Sequence, residues 1–255
     1  MISRLGRYIH RFAKDAQYRN KVFVWFRQGK FAYPIRAWLD NRGLVLANLF
    51  AKQPRVHCLI CGYEGLDFES YATMQRYAPH ARCPQCGSSP RYRALAQLLT
   101  QRRMIGDGKM CLEVAPGKHF GKWMQSMETR YFSIDLGALP AMAKMDVQAL
   151  AFDQDVFDLI ICFHVLEMVP DWKQALAEYH RTLCNDGILI LSESYLWGQP
   201  KTIDFSTDEV FSGDPLRRFG DDLVQALKGT GFQVETFDYL GKYDASGDYF
   251  FICTR

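Results

Sequence analysis

The 255-residue sequence has no apolar segment approaching the ~18–20 residues that span a bilayer; near its N-terminus the longest uninterrupted apolar run is "VFVWF", residues 22–26. That run is also too short for the apolar region of a secretory signal. The expected compartment is therefore the reducing cytoplasm, where paired cysteines serve metal binding or redox work more often than disulfides. Internal repeats and low-complexity segments are missing, which excludes solenoid and tail-like readings. Glycine is scarce where it matters most. In "KMCLEVAPGKHFGKW", residues 109–123, an apolar run leads through a turn into a helix-like stretch, and only Gly117 sits in that turn. Nucleotide-cofactor loops usually carry two or three glycines there.

What is present is an uneven distribution of charge. Residues 1–55 hold 12 Lys/Arg against Asp15 and Asp40, a balance of +10, while residues 56–255 carry −7. A basic head on an acidic body points to an anionic partner for the head. The head interleaves its basic residues with aromatics, among them Tyr8, Phe12, Trp25, Tyr33, Trp38 and Phe50. Ile2, Leu5, Ile9, Phe12 and Ala16 recur at helical spacing. Residues 1–55 are thus expected to form a basic, aromatic helical extension. It would either pack its stripe on the main domain or make a peripheral contact with the inner face of a membrane through residues 1–50; nucleic acid is the weaker alternative.

The eight cysteines fall into two kinds. Cys111, Cys162, Cys184 and Cys253 mostly lie in apolar stretches and read as small core residues. Cys58-x2-Cys61 and Cys83-x2-Cys86 are separated by 21 residues, and glycine follows each pair directly. Two such turns supply four thiolates to one tetrahedral ion, and the glycine lets main-chain amides point back at the sulfurs. Residues 56–93 are therefore expected to be a zinc ribbon whose Zn2+ is structural, since four cysteines leave no open position for chemistry.

From residue 94 onward strand-like and helix-like segments alternate: "KMCLEVA", "HFGKWMQSM", "RYFSIDL", "FDLIICF", "VPDWKQALAEYHRTL", "GILILSES", "DDLVQALKGTGF", "QVETFDYL" and "DYFFICTR". Alternation of this kind predicts an α/β domain over 94–255, a mostly parallel sheet with helices on both faces. Residues 195–219 are long and polar for a connection, a candidate lid or substrate loop. In such sheets ligands bind beyond the carboxyl ends of the strands. Glu113 lies near the end of the first strand, and Asp135, 22 residues later, ends the second. Asp146 and then His164 follow. A carboxylate at Asp135 suits ribose hydroxyls, so the residues predict a nucleoside-cofactor site, with NAD and S-adenosylmethionine both open.

The segments "CLEVAPGKHF", "YFSIDL", "MDVQALAFDQDVFDLIICFHVLEMVPDWKQALAEYHRTLCNDGILILSES" and "LKGTGFQVE" together resemble a class I S-adenosylmethionine-dependent methyltransferase with a Rossmann-like sheet. The ribbon with "CPQCGSSPRYR", the Ala-Pro of the first loop and "DPLRRFG" resemble a bacterial subgroup of these enzymes. The resemblance implies that Glu113, Ala115 and Gly117 border the methionine part of S-adenosylmethionine. Asp135 would hold the ribose, Asp146 and Val147 the adenine, and Phe163 and His164 would stand near the sulfonium and the acceptor. His164 is the leading candidate for a catalytic base, with Tyr195, His119 and Glu167 behind it; a helix cap is the plainer role for His164. Ala115 and His119 depart from the family's usual glycines. A methyl at residue 115 is tolerable if its φ is negative, and His119 either starts the helix or reaches into the site. The expected function is methyl transfer to a small-molecule or glycan-type acceptor, with Arg91, Arg93, Arg217 and Arg218 available for an anionic one. RNA methylation and a non-catalytic binding module are the alternatives; neither an Asn-Pro-Pro-Tyr-type motif nor an RNA-binding module is present.

Overall fold

The computed structural model describes residues 29, 32–50, 53–72, 77–137, 139–205, 215–238 and 249–255. The helical stripe expected from Ile2 to Ala16 lies outside them. The chain divides into two compact units, Met1–Ser89 and Pro90–Arg255.

In the first unit, helix α1 (Ala32–Leu49) is followed by two small antiparallel pairs. Strand β1 (Val56–His57) pairs with β2 (Glu64–Gly65), and β3 (Glu69–Ala72) with β4 (Tyr77–Arg82). Helix α1 turns its polar side toward the β2–β3 region. The Asn41 side chain donates to Ser70 O at 3.0 Å and accepts from Ser70 N at 2.7 Å, as a neighbouring strand would. Asn48 likewise accepts from Leu66 N at 2.9 Å. The apolar side, Ile35, Trp38, Leu39, Val45, Leu46 and Leu49, is left exposed, with Leu49 at 73% and the following Phe50 at 84%. This is the reverse of the usual surface helix, which turns its apolar stripe inward.

The second unit begins with α2 (Pro90–Gln101), whose proline occupies the first helical position, where no amide partner is needed. Then come β5 (Met110–Val114), α3 (Phe120–Ser126), β6 (Arg130–Asp135), β7 (Ala143–Lys144) and β8 (Phe157–Phe163). A 3-10 turn at Leu166–Met168 leads to α4 (Trp172–Thr182), capped by the Asp171 side chain accepting from Gln174 N. The rest is β9 (Leu183–Ser192), β10 (Ile203–Asp204), β11 (Arg217–Arg218), α5 (Asp222–Thr230), β12 (Gln233–Asp238) and β13 (Tyr249–Thr254). Gly231 ends α5 at φ 112°, the left-handed cap that glycine adopts most cheaply.

Seven strands form one sheet in the order β12-β13-β9-β8-β5-β6-β7. The five strands from β9 to β7 run parallel, while β13 is antiparallel to both of its neighbours. The alternation in the sequence foretells the parallel part but not the placing of the last strand between β12 and β9. One face of the sheet, with Leu112, Val114, Ile160, Leu189, Leu191 and Phe251, packs on Leu176, Tyr179, Leu223 and Leu227 of α4 and α5. From β5 the chain proceeds outward to β6 and β7, then returns to lay β8 on the other side of β5. The order therefore reverses between β5 and β8, which opens the crevice where such sheets bind ligands.

Within residues 195–219, β10 pairs with β11, Tyr195 bridges Phe219, and residues 206–214 are outside the described set. Arg217 fastens this segment down. It is buried, its Nε donates to Asp204 Oδ1 at 2.7 Å, and its remaining nitrogens donate to the carbonyls of Leu166, Val169 and Pro170. A guanidinium so fully occupied is a staple, which removes Arg217 from the arginines that could receive a substrate; Arg218 is exposed.

Candidate active site and four-cysteine cluster

The carboxyl ends of β5, β6 and β8 bring most of the expected residues together. Val114 is in register with Ile134 and with Cys162, so Ala115, Asp135 and Phe163 leave adjacent strands side by side. Asp146 and Val147 follow β7, and Ser192 of β9 pairs with Phe163.

Glu113 is fully buried and holds the loop rather than facing it. Its Oε1 accepts from Gly117 N at 2.9 Å and Tyr92 Oη at 2.8 Å, and its Oε2 accepts from Tyr131 Oη at 2.5 Å. Burial pushes its carboxyl above the usual range, against the lowering effect of those three donors. Tyr92 and Tyr131 escape a reading of motifs because they come from α2 and β6, not from the loop. Both explain glycines: a Cβ on Gly117 would lie 2.5 Å from the Tyr92 ring, and one on Gly121 would lie 2.6 Å from Tyr131. Gly117 is thus at a crowded point, and what crowds it is an aromatic side chain of the same unit.

Ala115 has φ +53°, so the condition of a negative φ is not met. The backbone keeps the conformation that a glycine would take there, and alanine carries the cost, about 1–2 kcal/mol. His119 stands at the start of α3 with no side-chain cap bond. That is the first of its two expected places.

Asp135 is nearly buried at the end of β6, and its Oδ1 accepts from Gly137 N at 2.6 Å and Leu139 N at 2.9 Å. These bonds shape the loop after β6 around the carboxylate. Asp146 accepts from the main-chain and side-chain nitrogens of Gln148, while the Val147 side chain is buried in the core. Phe163 stacks on Phe250 at 5.4 Å and meets the edge of Tyr92 at 5.8 Å.

His164 has φ +54°, a left-handed conformation uncommon outside glycine. The ring is about a third exposed, and its Nδ1 lies 3.2 Å from Glu167 Oε1. Burial would raise the Glu167 carboxyl, but the bonds from His164 and the Ser194 amide, the latter 2.6 Å, outweigh it and hold it low. Behind it Glu193 is buried, accepting from the amides of Val165, Leu166 and Glu167 at 3.2–3.3 Å. Burial, with Glu167 close by, pushes Glu193 well above the ordinary carboxylate range. His164, Glu167 and Glu193 converge closely enough to suggest a metal trio. Both oxygens of Glu193 and one of Glu167 are nevertheless committed to main-chain amides, so the trio's work is to fix the turn that carries His164. Glu193 was not anticipated: a lone carboxylate at the end of an apolar strand gives no periodic signal. Tyr195 donates to Asp221 Oδ1 at 2.7 Å, and burial together with that carboxylate raises its hydroxyl pKa, so it is poorly suited to accept a proton.

In the first unit the four cysteines meet. Cys58 and Cys86 sulfurs are 3.8 Å apart, Cys61 and Cys83 sulfurs 3.6 Å, and all four lie within 4.8 Å of one another. These separations are far beyond a disulfide bond. They match the edge of a tetrahedron with metal–sulfur bonds of about 2.3 Å, which is about 3.8 Å. Gly62 and Gly87, at φ 72° and 74°, close the two turns by donating to the Cys58 and Cys83 carbonyls. Amides of Ile60 and Cys61 point at Cys58, and those of Gln85 and Cys86 at Cys83.

Residues 121–191 match the family described as "Methyltransferase domain". No curated protein matches the sequence. Among solved structures, one similar fold is the 1,6-didemethyltoxoflavin-N1-methyltransferase of Burkholderia thailandensis, solved with 1,6-didemethyltoxoflavin and S-adenosylhomocysteine. It is 17% identical, with a TM-score of 0.52 over 64% of this chain and 77% of that one. Another is the (4+2)-cyclase SpnF, 14% identical, with a TM-score of 0.50 over 75% of this chain and 87% of that one. Likeness at such identities speaks to the fold. By its strand order and its likeness to these structures, the C-terminal unit has the Rossmann-like fold of class I methyltransferases, and residues 121–191 within it match a methyltransferase-domain family.

Proposed function

We propose that this domain transfers a methyl group from S-adenosylmethionine to a small-molecule or glycan-type acceptor. The observation that supports this most is the side-by-side exit of Ala115, Asp135 and Phe163 from three adjacent parallel strands at the point where strand order reverses. The donor set suits the cofactor: a carboxylate at Asp135 for ribose hydroxyls, Asp146 and the Val147 backbone for adenine, and the Glu113-pinned turn of Ala115 and Gly117 for the methionyl part. Bound there, the cofactor supplies an electrophilic methyl group on sulfur. The chain's own work is to align the acceptor, exclude water and remove a proton where the acceptor is a hydroxyl or a protonated amine. His164 suits that last role. Glu167 holds its Nδ1, which leaves Nε2 as the ring nitrogen free to act as base.

Because the same fold also serves a protein named as a cyclase, binding and turnover need separate tests. S-adenosylhomocysteine titrated calorimetrically into zinc-loaded protein should bind, and Asp135→Ala should weaken it by about tenfold or more, as loss of a charged hydrogen-bond acceptor does. His164→Ala should leave that affinity unchanged and slow turnover. Absence of any binding would favour a non-catalytic module.

The four-cysteine cluster suits one structural Zn2+ per chain. The exposed apolar side of α1 suits an anionic bilayer. Its large side chains are flanked by Arg36 and by Arg42, which lies over Trp38, within a segment of strongly positive balance. Among the described residues no helix is long and apolar enough to cross a membrane, so the contact would be peripheral. Flotation with phosphatidylserine-containing vesicles should recover the chain, and Leu46→Asp with Leu49→Asp should abolish recovery. Equal recovery of both proteins would end this part of the reading.

A further inference from the structure

Arg91 is the second residue of α2, and two of its guanidinium nitrogens are enclosed. Its Nε and Nη1 are shut off from solvent and have no hydrogen-bond partner among the described residues. The guanidinium carbon lies 5.3 Å from the centre of the Phe163 ring, and the next residue, Tyr92, reaches Glu113 and the Gly117 turn. Arg91 therefore sits in the candidate active site, not at its margin. The contrast with Arg217 is instructive. Arg217 is buried with a carboxylate and three carbonyls on its nitrogens, whereas the half-buried Arg91 sets two nitrogens screened from water beside an aromatic ring.

A cation over a ring recovers only part of what a guanidinium loses on leaving water. The first turn of α2 contains no acidic residue. Glu113, which Tyr92 holds, already has both oxygens engaged by Tyr92, Tyr131 and Gly117. What is missing is an anionic acceptor for these two nitrogens, and a carboxylate, with two oxygens, can serve more than one N–H. The amino end of the 12-residue α2 adds its own preference for negative charge at the same place.

We infer that Arg91 and the first turn of α2 form a carboxylate-binding site, filled by a small molecule bound in the cleft. Two sources share that chemistry: the amino-acid carboxylate of the methyl donor, which rests on the reading above, and an acidic group on the acceptor. Calorimetry on the full-length, zinc-loaded chain separates them, using wild type, Arg91→Gln and Arg91→Lys, with melting temperatures to confirm folding. The probes are S-adenosylhomocysteine, then 5′-methylthioadenosine, which keeps the nucleoside thioether but lacks the amino-acid tail, and glucuronate added to protein saturated with S-adenosylhomocysteine.

If the donor supplies the carboxylate, Arg91→Gln weakens S-adenosylhomocysteine by about tenfold or more while methylthioadenosine changes less than about twofold. Arg91→Lys falls between, since it keeps the charge but not the placement of the guanidinium N–H groups. If the acceptor supplies it, nucleoside affinities stay level and glucuronate binding is lost in Arg91→Gln. Should no probe depend on Arg91 in any of the three proteins, the site is overturned. Failure of wild type to bind either nucleoside would sink the donor reading instead, and glucuronate added to the unliganded chain would then decide the Arg91 site by itself.

Discussion

The two units hold themselves together by different means. In the C-terminal unit a sheet of seven strands buries Leu112, Ile160, Leu189, Phe251 and their neighbours against two helices, and burial alone can account for its cohesion. In the N-terminal unit the buried cluster consists of Cys58, Cys83 and Cys86, with Ile60, Cys61, Tyr63 and Phe68 packed around them. Its helix α1 turns asparagines inward and leucines outward. Where the described residues leave this many apolar side chains exposed, four converging thiolates would add stability by sharing an ion. The apolar surface is then free for a contact outside the unit.

The largest effect should come from breaking the cysteine side of that comparison. Cys83→Ser should reduce zinc from about one per chain toward none and unfold the N-terminal unit, since a structural zinc site contributes on the order of 10 kcal/mol. Hydrogen exchange should show loss of protection in residues 53–89 with little change in the sheet. Simultaneous loss in β5 and β8 would mean that the two units do not stand apart energetically.

A smaller effect concerns the second unit and has a defined sign. Glu193 and Glu113 both have carboxyl pKa values raised by burial. Their contribution to stability is fully present below the ordinary carboxylate pKa of about 4.3 and is lost as pH rises through the raised folded-state values. Glu167, held low, acts in the opposite sense, and its contribution is lost only as pH falls through its lowered folded-state value. Urea midpoints of the domain should therefore decline from weakly acidic to neutral pH. Glu193→Gln should flatten that decline, and an unchanged slope would show that Glu193 ionises without cost.

The smallest effect is at the first loop. Ala115→Gly should raise stability by about 0.5–1 kcal/mol, the left-handed penalty on alanine less the extra chain entropy of glycine. Thermal melting would detect this, and a loss of stability would argue against φ +53° in the folded protein. Nothing comparable is expected at Gly62 or Gly87, which already have the residue that their φ values ask for.

Much of this was legible in the sequence because it depends on local repetition. The doubled Cys-x2-Cys-Gly spacing can be met by few other arrangements, and the four sulfurs do converge. "FDLIICF" is a strand over its whole length, and Asp135 does end its strand. The residues that hold the site were harder to see. Tyr92, Tyr131 and Glu193 act on loops 18 to 28 residues away in sequence, with no fixed spacing to announce them. Arginine is the plainest case: four were candidates for an anion, and a sequence cannot tell Arg217, bonded to carbonyls, from Arg91, whose Nε and Nη1 have no partner among the described residues.

By itself the sequence determined the alternation that makes a parallel sheet, the carboxylates at its strand ends and the four-thiolate spacing, because each follows from periodicity or from ligand count over short distances. Only the tertiary structure decided that Gly117 makes room for Tyr92, that alanine occupies a glycine's conformation at position 115, and that a helix of the first unit faces its leucines outward. Those outcomes depend on which side chains meet across elements far apart in the chain, and contact of that kind is settled by packing.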